Sequence, residues 1–263
     1  MRNFIFPCLM AFASSAAAEG YTDADVLFLG EVHDNPAHHL RQARIVAEVQ
    51  PTAVVWEMLG PEAAAKVAPE LIDNVAALSV ALSWSDSGWP DFSMYYPIFA
   101  ASPDARHFGA QLSREEARAV MGQGVAEIFG ADAAVFGLDA PLAKDQQAQR
   151  EALQMAAHCD ALPFEMLPIM VDIQRLRDAE LAAATLSALQ ETGGPVVVIT
   201  GNGHARKDWG ATYLFLQAAP DVSVFALGQG EVGRSPPEGG FDLIEAVASA
   251  VDRGDPCDAF RKN

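Results

Sequence analysis

The chain alternates short apolar runs with stretches of helical periodicity. Val26-Leu27-Phe28-Leu29 is one such run, closed by Gly30, and Ala53-Val54-Val55-Trp56 is a second. Neither alternates apolar with polar residues, the pattern of strands covered on both faces. Between them, residues 37–49 read as a helix with Leu40, Ala43, Ile45, Val46 and Val49 on one side. Helical text resumes at Pro61, a residue suited to a first helical turn. Residues 83–104 are aromatic and turn-rich, with Trp84, Trp89, Tyr95 and Tyr96. Arg106 to Leu112 reads as a strand, and Ser113-Arg114-Glu115-Glu116 is a capping box that opens a helix to about Phe129. Residues 144–159 and 163–190 read as long helices. Pro195 to Thr200 is the clearest strand and stops at Gly201; a helix follows from about Trp209 and a strand from Val222 to Leu227. Residues 228–240 read as a Gly/Pro-rich loop, beyond which Cys257 alone ties the C-terminus back.

Strand and helix in alternation imply an α/β fold, a mostly parallel sheet with helices on both faces. No repeat of fixed period occurs. One domain over residues 19–263 is the simplest division, with helical insertions at about 61–104 and 140–190 forming a cap.

The first eighteen residues stand apart. Arg2 precedes an apolar stretch, Phe4 to Phe12, too short to span a bilayer, and Ala16-Ala17-Ala18 offers a small-residue cleavage site. These features predict a signal peptide and a periplasmic or secreted protein, with no transmembrane segment in the remainder. The formal charge of −18 argues against nucleic acid and anionic membranes as partners. After cleavage only Cys159 and Cys257 remain, and in an oxidising compartment they most simply pair. Such a bridge contributes on the order of 4–5 kcal/mol through the loop it closes; two separate buried thiols are the alternative.

Candidate chemistry gathers where strands end. The first strand runs into Gly30-Glu31-Val32-His33, and the late one into Gly201-Asn202-Gly203-His204. In parallel sheets, ligands bind at the carboxyl ends of the strands. The second strand ends in Glu57, and a carboxylate directly after a buried run is costly unless paired or ligating. Glu31, His33, Glu57 and His204 are therefore expected at one rim, where imidazole and carboxylate together bind a divalent metal or act as acid and base. A plainer alternative makes each His an ordinary loop residue and Glu57 half of a structural ion pair. His38 and His39 are expected to face solvent or cap their helix, His107 to pack in a strand, and His158 to lie near the site only if the bridge brings it there. Gln174, Arg177 and Asp178 share one helical face, either a plain solvated stripe or one from which Arg177 pairs with Glu57 or Glu31.

The runs from Leu29 to His39, Val55 to Leu59, Gln174 to Asp178 and Gly201 to Gly210, with His158-Cys159 and Asp255-Pro256-Cys257, resemble the ChaN-like haem-binding uptake proteins of the Tiki superfamily. The resemblance covers nearly the whole chain after the leader. It implies haem binding, a role in haem or iron uptake, and homodimers that enclose haem. It carries the site over to Glu31, His33, Glu57 and His204, with Arg177 and Asp178 in support. Tyrosine ligation of haem iron is also implied; this chain has Trp209 where tyrosine is common, which leaves Tyr96 and Tyr213 as the candidates. Other branches of the superfamily resemble metal-dependent peptidases. On that reading His33, Glu57 and His204 hold a divalent metal, and Glu31 is the general base of a hydrolase.

Overall fold

A computed structural model describes residues 20–249 and 257–258; the predicted leader lies outside them. At its centre is one six-stranded, all-parallel sheet in the order β3-β2-β4-β1-β5-β6. The strands are β1 (Val26–Glu31), β2 (Ala53–Trp56), β3 (Arg106–Gly109), β4 (Val196–Gly201), β5 (Val224–Glu231) and β6 (Leu243–Val247).

Between β1 and β2 runs α1 (Pro36–Val49), capped by the Asn35 side chain. Five helices separate β2 from β3: α2 (Pro61–Ala64), α3 (Pro69–Ile72), α4 (Val75–Ala81), α5 (Trp84–Ser87) and α6 (Phe92–Ala100). Then come α7 (Arg114–Ala119), α8 (Val125–Phe129), α9 (Lys144–Ala157) and α10 (Leu167–Thr192) before β4. After β4 lie α11 (Asn202–Ala205) and α12 (Ala211–Ala218).

The unbroken apolar runs have a simple cause: the sheet is buried twice. Leu27, Leu29, Val54, Trp56, Val197 and Ile199 face a core shared with Ile45, Val46, Tyr95 and Phe99 of α1 and α6. Their neighbours Val26, Phe28, Val55, Val196 and Val198 face a second core under α10 and α12, with Leu176, Ala179 and Phe215. Because successive residues of a strand point to opposite faces, no position is left for a polar side chain.

Several expectations are corrected. The helix read from Ser113 to Phe129 is two helices, α7 and α8, because Gly122 and Gly124 interrupt it; the capping box at Ser113 is present. Residues 228–231 are strand rather than loop. Gly228 and Gly230 lie where the returning chain crosses β5, and a β-carbon there would meet the Phe241 ring at 3.0 Å and Pro237 at 3.1 Å. The C-terminal region is held by more than Cys257, since β6 pairs with β5 from Leu227↔Leu243 to Glu231↔Val247. Cys159 and Cys257 form a disulfide. The Gly201-Asn202-Gly203-His204 run is not open loop, for Asn202–Ala205 makes a helical turn.

His107 packs as expected. It is 9% exposed and stacks near Trp56 and Phe99. Trp56 Nε1 donates to its Nδ1 at 2.9 Å, which requires that nitrogen unprotonated. Burial pulls its pKa down to about 4 from an ordinary 6.5. A histidine with a depressed folded pKa leaves stability intact above its unfolded value and erodes it as pH falls towards the folded one. Between pH 6.5 and 4, the native state should lose on the order of 3 kcal/mol from this group. Urea midpoints for wild type and His107→Leu should converge as pH drops through that window; parallel curves would remove the assignment.

Candidate functional site

The three central strands decide where the chemistry sits. β2, β4 and β1 are adjacent, and their registers align Glu31 with Gly201 and Trp56 with Ile199. The carboxyl ends of β1 and β4 therefore stop level, and β2 stops two residues short of them. Glu31 is the last residue of β1, Glu57 directly follows β2, and His204 lies in the turn that follows β4. The next strand over is tied in by Asn202, whose side chain accepts from Gln229 N at 2.9 Å and donates to Gln229 O at 2.8 Å. That close splice needs Gly30 beneath it: a β-carbon there would sit 2.6 Å from Asn202 Oδ1.

Alternating carboxylates and imidazoles line the rim. Glu31 Oε1 accepts from His33 Nδ1 at 2.9 Å and from the Tyr95 hydroxyl at 2.9 Å, and His39 Nε2 stands 3.3 Å away. Glu57 Oε2 accepts from Thr200 Oγ1 at 2.7 Å and from Gly201 N at 2.8 Å. Its other oxygen faces both imidazoles, 3.9 Å from His33 Nε2 and 3.6 Å from His204 Nε2. His204 Nδ1 in turn meets Asp178 Oδ1 of α10 at 2.7 Å. Each imidazole thus has one nitrogen held by a buried carboxylate and the other turned towards Glu57. Gly201 has to be glycine here, for a β-carbon would lie 2.8 Å from His33 Nε2.

The electrostatics follow from this pairing. Burial opposes charge on Glu31, but the hydrogen bonds to His33 and His39 outweigh it and hold the carboxyl at about 2. Burial likewise disfavours the His33 imidazolium, yet Glu31 and Glu57 together raise its pKa to about 9. Glu57 is lowered: burial is again the largest influence, overcome by His204, His33 and the Gly201 amide. His204 is raised against its burial by Glu57 and Asp178, while Asp178 is raised mainly by burial. Tyr95 is driven strongly upward by burial and the Glu31 charge, so its hydroxyl keeps its proton and donates.

Outside this row opens a cavity of about 410 Å³, lined by His33, Glu57 and His204 together with Trp89, Arg114, Leu112, Leu181, Gln174 and Arg177. The Trp89 ring lies 4.9 Å from that of His33, and its buried Nε1–H has no partner among the described residues. Arg177 lines the cavity instead of pairing with Glu57 or Glu31; the partner drawn from that helical face is Asp178.

Other expected residues lie elsewhere. Tyr96 donates its hydroxyl to Ile72 O at 2.9 Å. Tyr213 is 38% exposed on α12 and borders a separate cavity with Arg150 and Arg175. The structure brings neither to the His33–His204 cavity. His158 turns its Nδ1 to Gln154 O at 2.8 Å. His38 and His39, expected at the surface, are fully buried. His38 holds Val32 N at 2.9 Å and approaches Gly230 O at 3.1 Å, and His39 packs against Tyr95. The signal was present: His39, Gln42, Ala43 and Val46 follow the i, i+3, i+4, i+7 spacing of the buried face of a helix. Tyr95, one of several aromatics in its segment, had no comparable signal, because only the docking of α6 on α1 brings it to Glu31.

Among the described residues, no group of three or more His, Cys, Asp or Glu side chains is arranged to hold a metal ion. The divalent-metal centre expected from His33, Glu57 and His204 therefore finds no support. No described helix is long and apolar enough to cross a membrane.

The family described as haem-binding uptake, Tiki superfamily, ChaN, matches residues 17–214. Among solved structures, the chain is similar to one described as cofacial heme binding to ChaN of Campylobacter jejuni. Identity is 22%, with 82% of this chain and 84% of that chain covered at a TM-score of 0.62. It is more distantly similar to the type III effector HopBA1, at 12% identity, 87% and 89% coverage and a TM-score of 0.45. An erythromycin esterase mutant in its open conformation gives 13%, 80% and 71%, and 0.43. Among curated proteins no match was found.

Proposed function

The chain belongs to the haem-binding uptake family of the Tiki superfamily, the ChaN family, and on that basis we propose that it binds haem in the His33–His204 cavity and serves haem or iron uptake outside the cytoplasm. The observation that carries this is the row of imidazoles, each fixed through one nitrogen by a buried carboxylate and presenting the other at a cavity. Ligating histidines are commonly oriented in this way, since a carboxylate on the far nitrogen fixes the tautomer and strengthens the donor.

The residues present fit the group. Haem, when bound, would supply an iron that a protein side chain could ligate. His33, whose side chain is 34% exposed, is the more accessible imidazole of the pair, His204 being 12% exposed, and with its pKa raised to about 9 it would have to give up its Nε2 proton to serve as the donor. Trp89 offers an aromatic face beside it and an unsatisfied N–H. Arg114 and Arg177 supply cations for the propionates, and Leu112 and Leu181 give apolar walls. Glu31 positions His33, Asp178 positions His204, and Tyr95 steadies the Glu31 carboxylate. Tyr96 and Tyr213 have no part in this arrangement. A homodimer enclosing haem, release by a signal peptidase near Ala18, and a single domain over residues 19–263 belong to the same reading.

Titration of the purified protein with haemin should produce a saturable Soret band. His33→Ala should shift that band and weaken binding by roughly 10–100-fold, in line with the loss of a well-oriented ligand or its support. No spectral change with micromolar haemin would remove the reading. An unaltered band in both His33→Ala and His204→Ala would move the site elsewhere.

A further inference from the structure

We propose that a second cavity, between α9, α10 and residues 203–209, binds a small monocarboxylate through Arg150. This cavity, of about 270 Å³, shares His204 and Gln174 with the one described above but contains neither His33 nor Glu57. The inference rests on Arg150 and stands or falls independently of haem binding.

Arg150 is 8% exposed and, among the described residues, has no carboxylate within ion-pair distance. Among the described residues its hydrogen bond, Nη2 to Trp209 O, is long at 3.5 Å, and its buried Nε has no partner. The neighbouring cations are all engaged. Arg206 grips Asp208 through two nitrogens, at 2.5 and 2.7 Å. Arg175 reaches Asp172 and the carbonyls of Gly137 and Ala140. Asp178, the carboxylate that most favours charge on Arg150, gives its Oδ1 to His204. A guanidinium does not shed its proton in a protein, so this buried charge calls for an anion from outside.

The surroundings narrow the class. A guanidinium fork matches the two oxygens of a carboxylate. Leu153, Ala157, Val171 and the Trp209 ring make apolar walls suited to a short carbon body, and Gln174 adds an amide. Trp209 lies between Arg150 at 5.3 Å and Arg206 at 3.7 Å from its ring centre, so ligand binding should reach its fluorescence. Asp178 also lines this cavity, and its carboxylate disfavours a multiply charged anion, which keeps the class to a single carboxylate.

Calorimetric titration of the purified chain with sodium butyrate at fixed ionic strength tests this, with butyramide as the uncharged counterpart. Butyrate should give saturable binding in the millimolar range, and butyramide none. Arg150→Gln should weaken butyrate at least tenfold, while Arg118→Gln, at an exposed position of α7, should not. Should Arg150→Gln fail to fold, crystals of the wild-type protein grown with 4-bromobutyrate decide the matter. Anomalous bromine density in this cavity supports the proposal. Absent saturable binding, equal binding of butyramide, undiminished binding by Arg150→Gln, or bromine found only elsewhere overturns it.

Discussion

Replacing Glu31 with Ala should lower the free energy of unfolding by about 3–5 kcal/mol, the usual range when one member of a buried charged network is removed. The carboxylate is 2% exposed, and one of its oxygens accepts from His33 and Tyr95 and lies 3.3 Å from His39 Nε2. Its loss would leave the fully buried Tyr95 hydroxyl with only the longer 3.2 Å bond to His33 O, and would strip the buried His39 ring of its nearest carboxylate. His33→Ala should cost less, because that ring is 34% exposed and water can replace it. The pH dependence tests the same assignment. Glu31 has a folded pKa of about 2 against 4.5 unfolded, so its contribution is complete above 4.5 and fades as pH falls towards 2. His33 has the opposite sign. Raised from 6.5 to about 9, it contributes fully below 6.5 and loses that contribution as pH rises towards 9. The pair therefore stabilises most between about 4.5 and 6.5, and Glu31→Ala should flatten both limbs. A loss below about 1 kcal/mol in urea unfolding, of the size seen for an exposed pair, would show that the network is not the buried anchor described here.

Breaking the Cys159–Cys257 disulfide should cost about 2–5 kcal/mol. The two cysteines are 98 residues apart, and in the chain-entropy account a cross-link over so long a loop restricts the unfolded chain by about 4.7 kcal/mol. The bridge fastens the C-terminal segment after β6 to the end of α9, the helix that carries Arg150. Cys159→Ser, Cys257→Ser and the double variant should lose equal stability, and reductant should bring the wild type to the same midpoint. If the double variant matches the oxidised wild type in urea, the bridge contributes nothing and the pairing of β6 with β5 holds the tail by itself.

The architecture was largely legible because the strands are buried on both faces. Unbroken apolar runs at 26–29, 53–56 and 195–199 are the pattern of strands covered on both faces, and a glycine close after two of them marks where they stop. What hid β6 and the end of β5 was composition. Gly228, Gly230 and the prolines after them look like loop, and only the chain crossing close above β5 explains why glycine is required in a strand. The rim residues Glu31, His33, Glu57 and His204 could be picked out because each follows a strand end. His39 could have been, from its helical spacing. Tyr95, Asp178 as partner of His204, and the unpaired Arg150 could not.

Local chemistry and periodicity were enough to specify strands, most helices, the acidic surface and the residue types at the rim, since each depends on neighbours within a few positions. The strand order, by contrast, is non-local. It sets β2, β4 and β1 side by side with their carboxyl ends at one rim, and so brings Glu57 within 4 Å of imidazoles 24 and 147 residues away along the chain. Which carboxylate meets which imidazole, and which charge is buried without a partner, are properties of packing between distant segments. The spacing of residues along the chain carries no record of them.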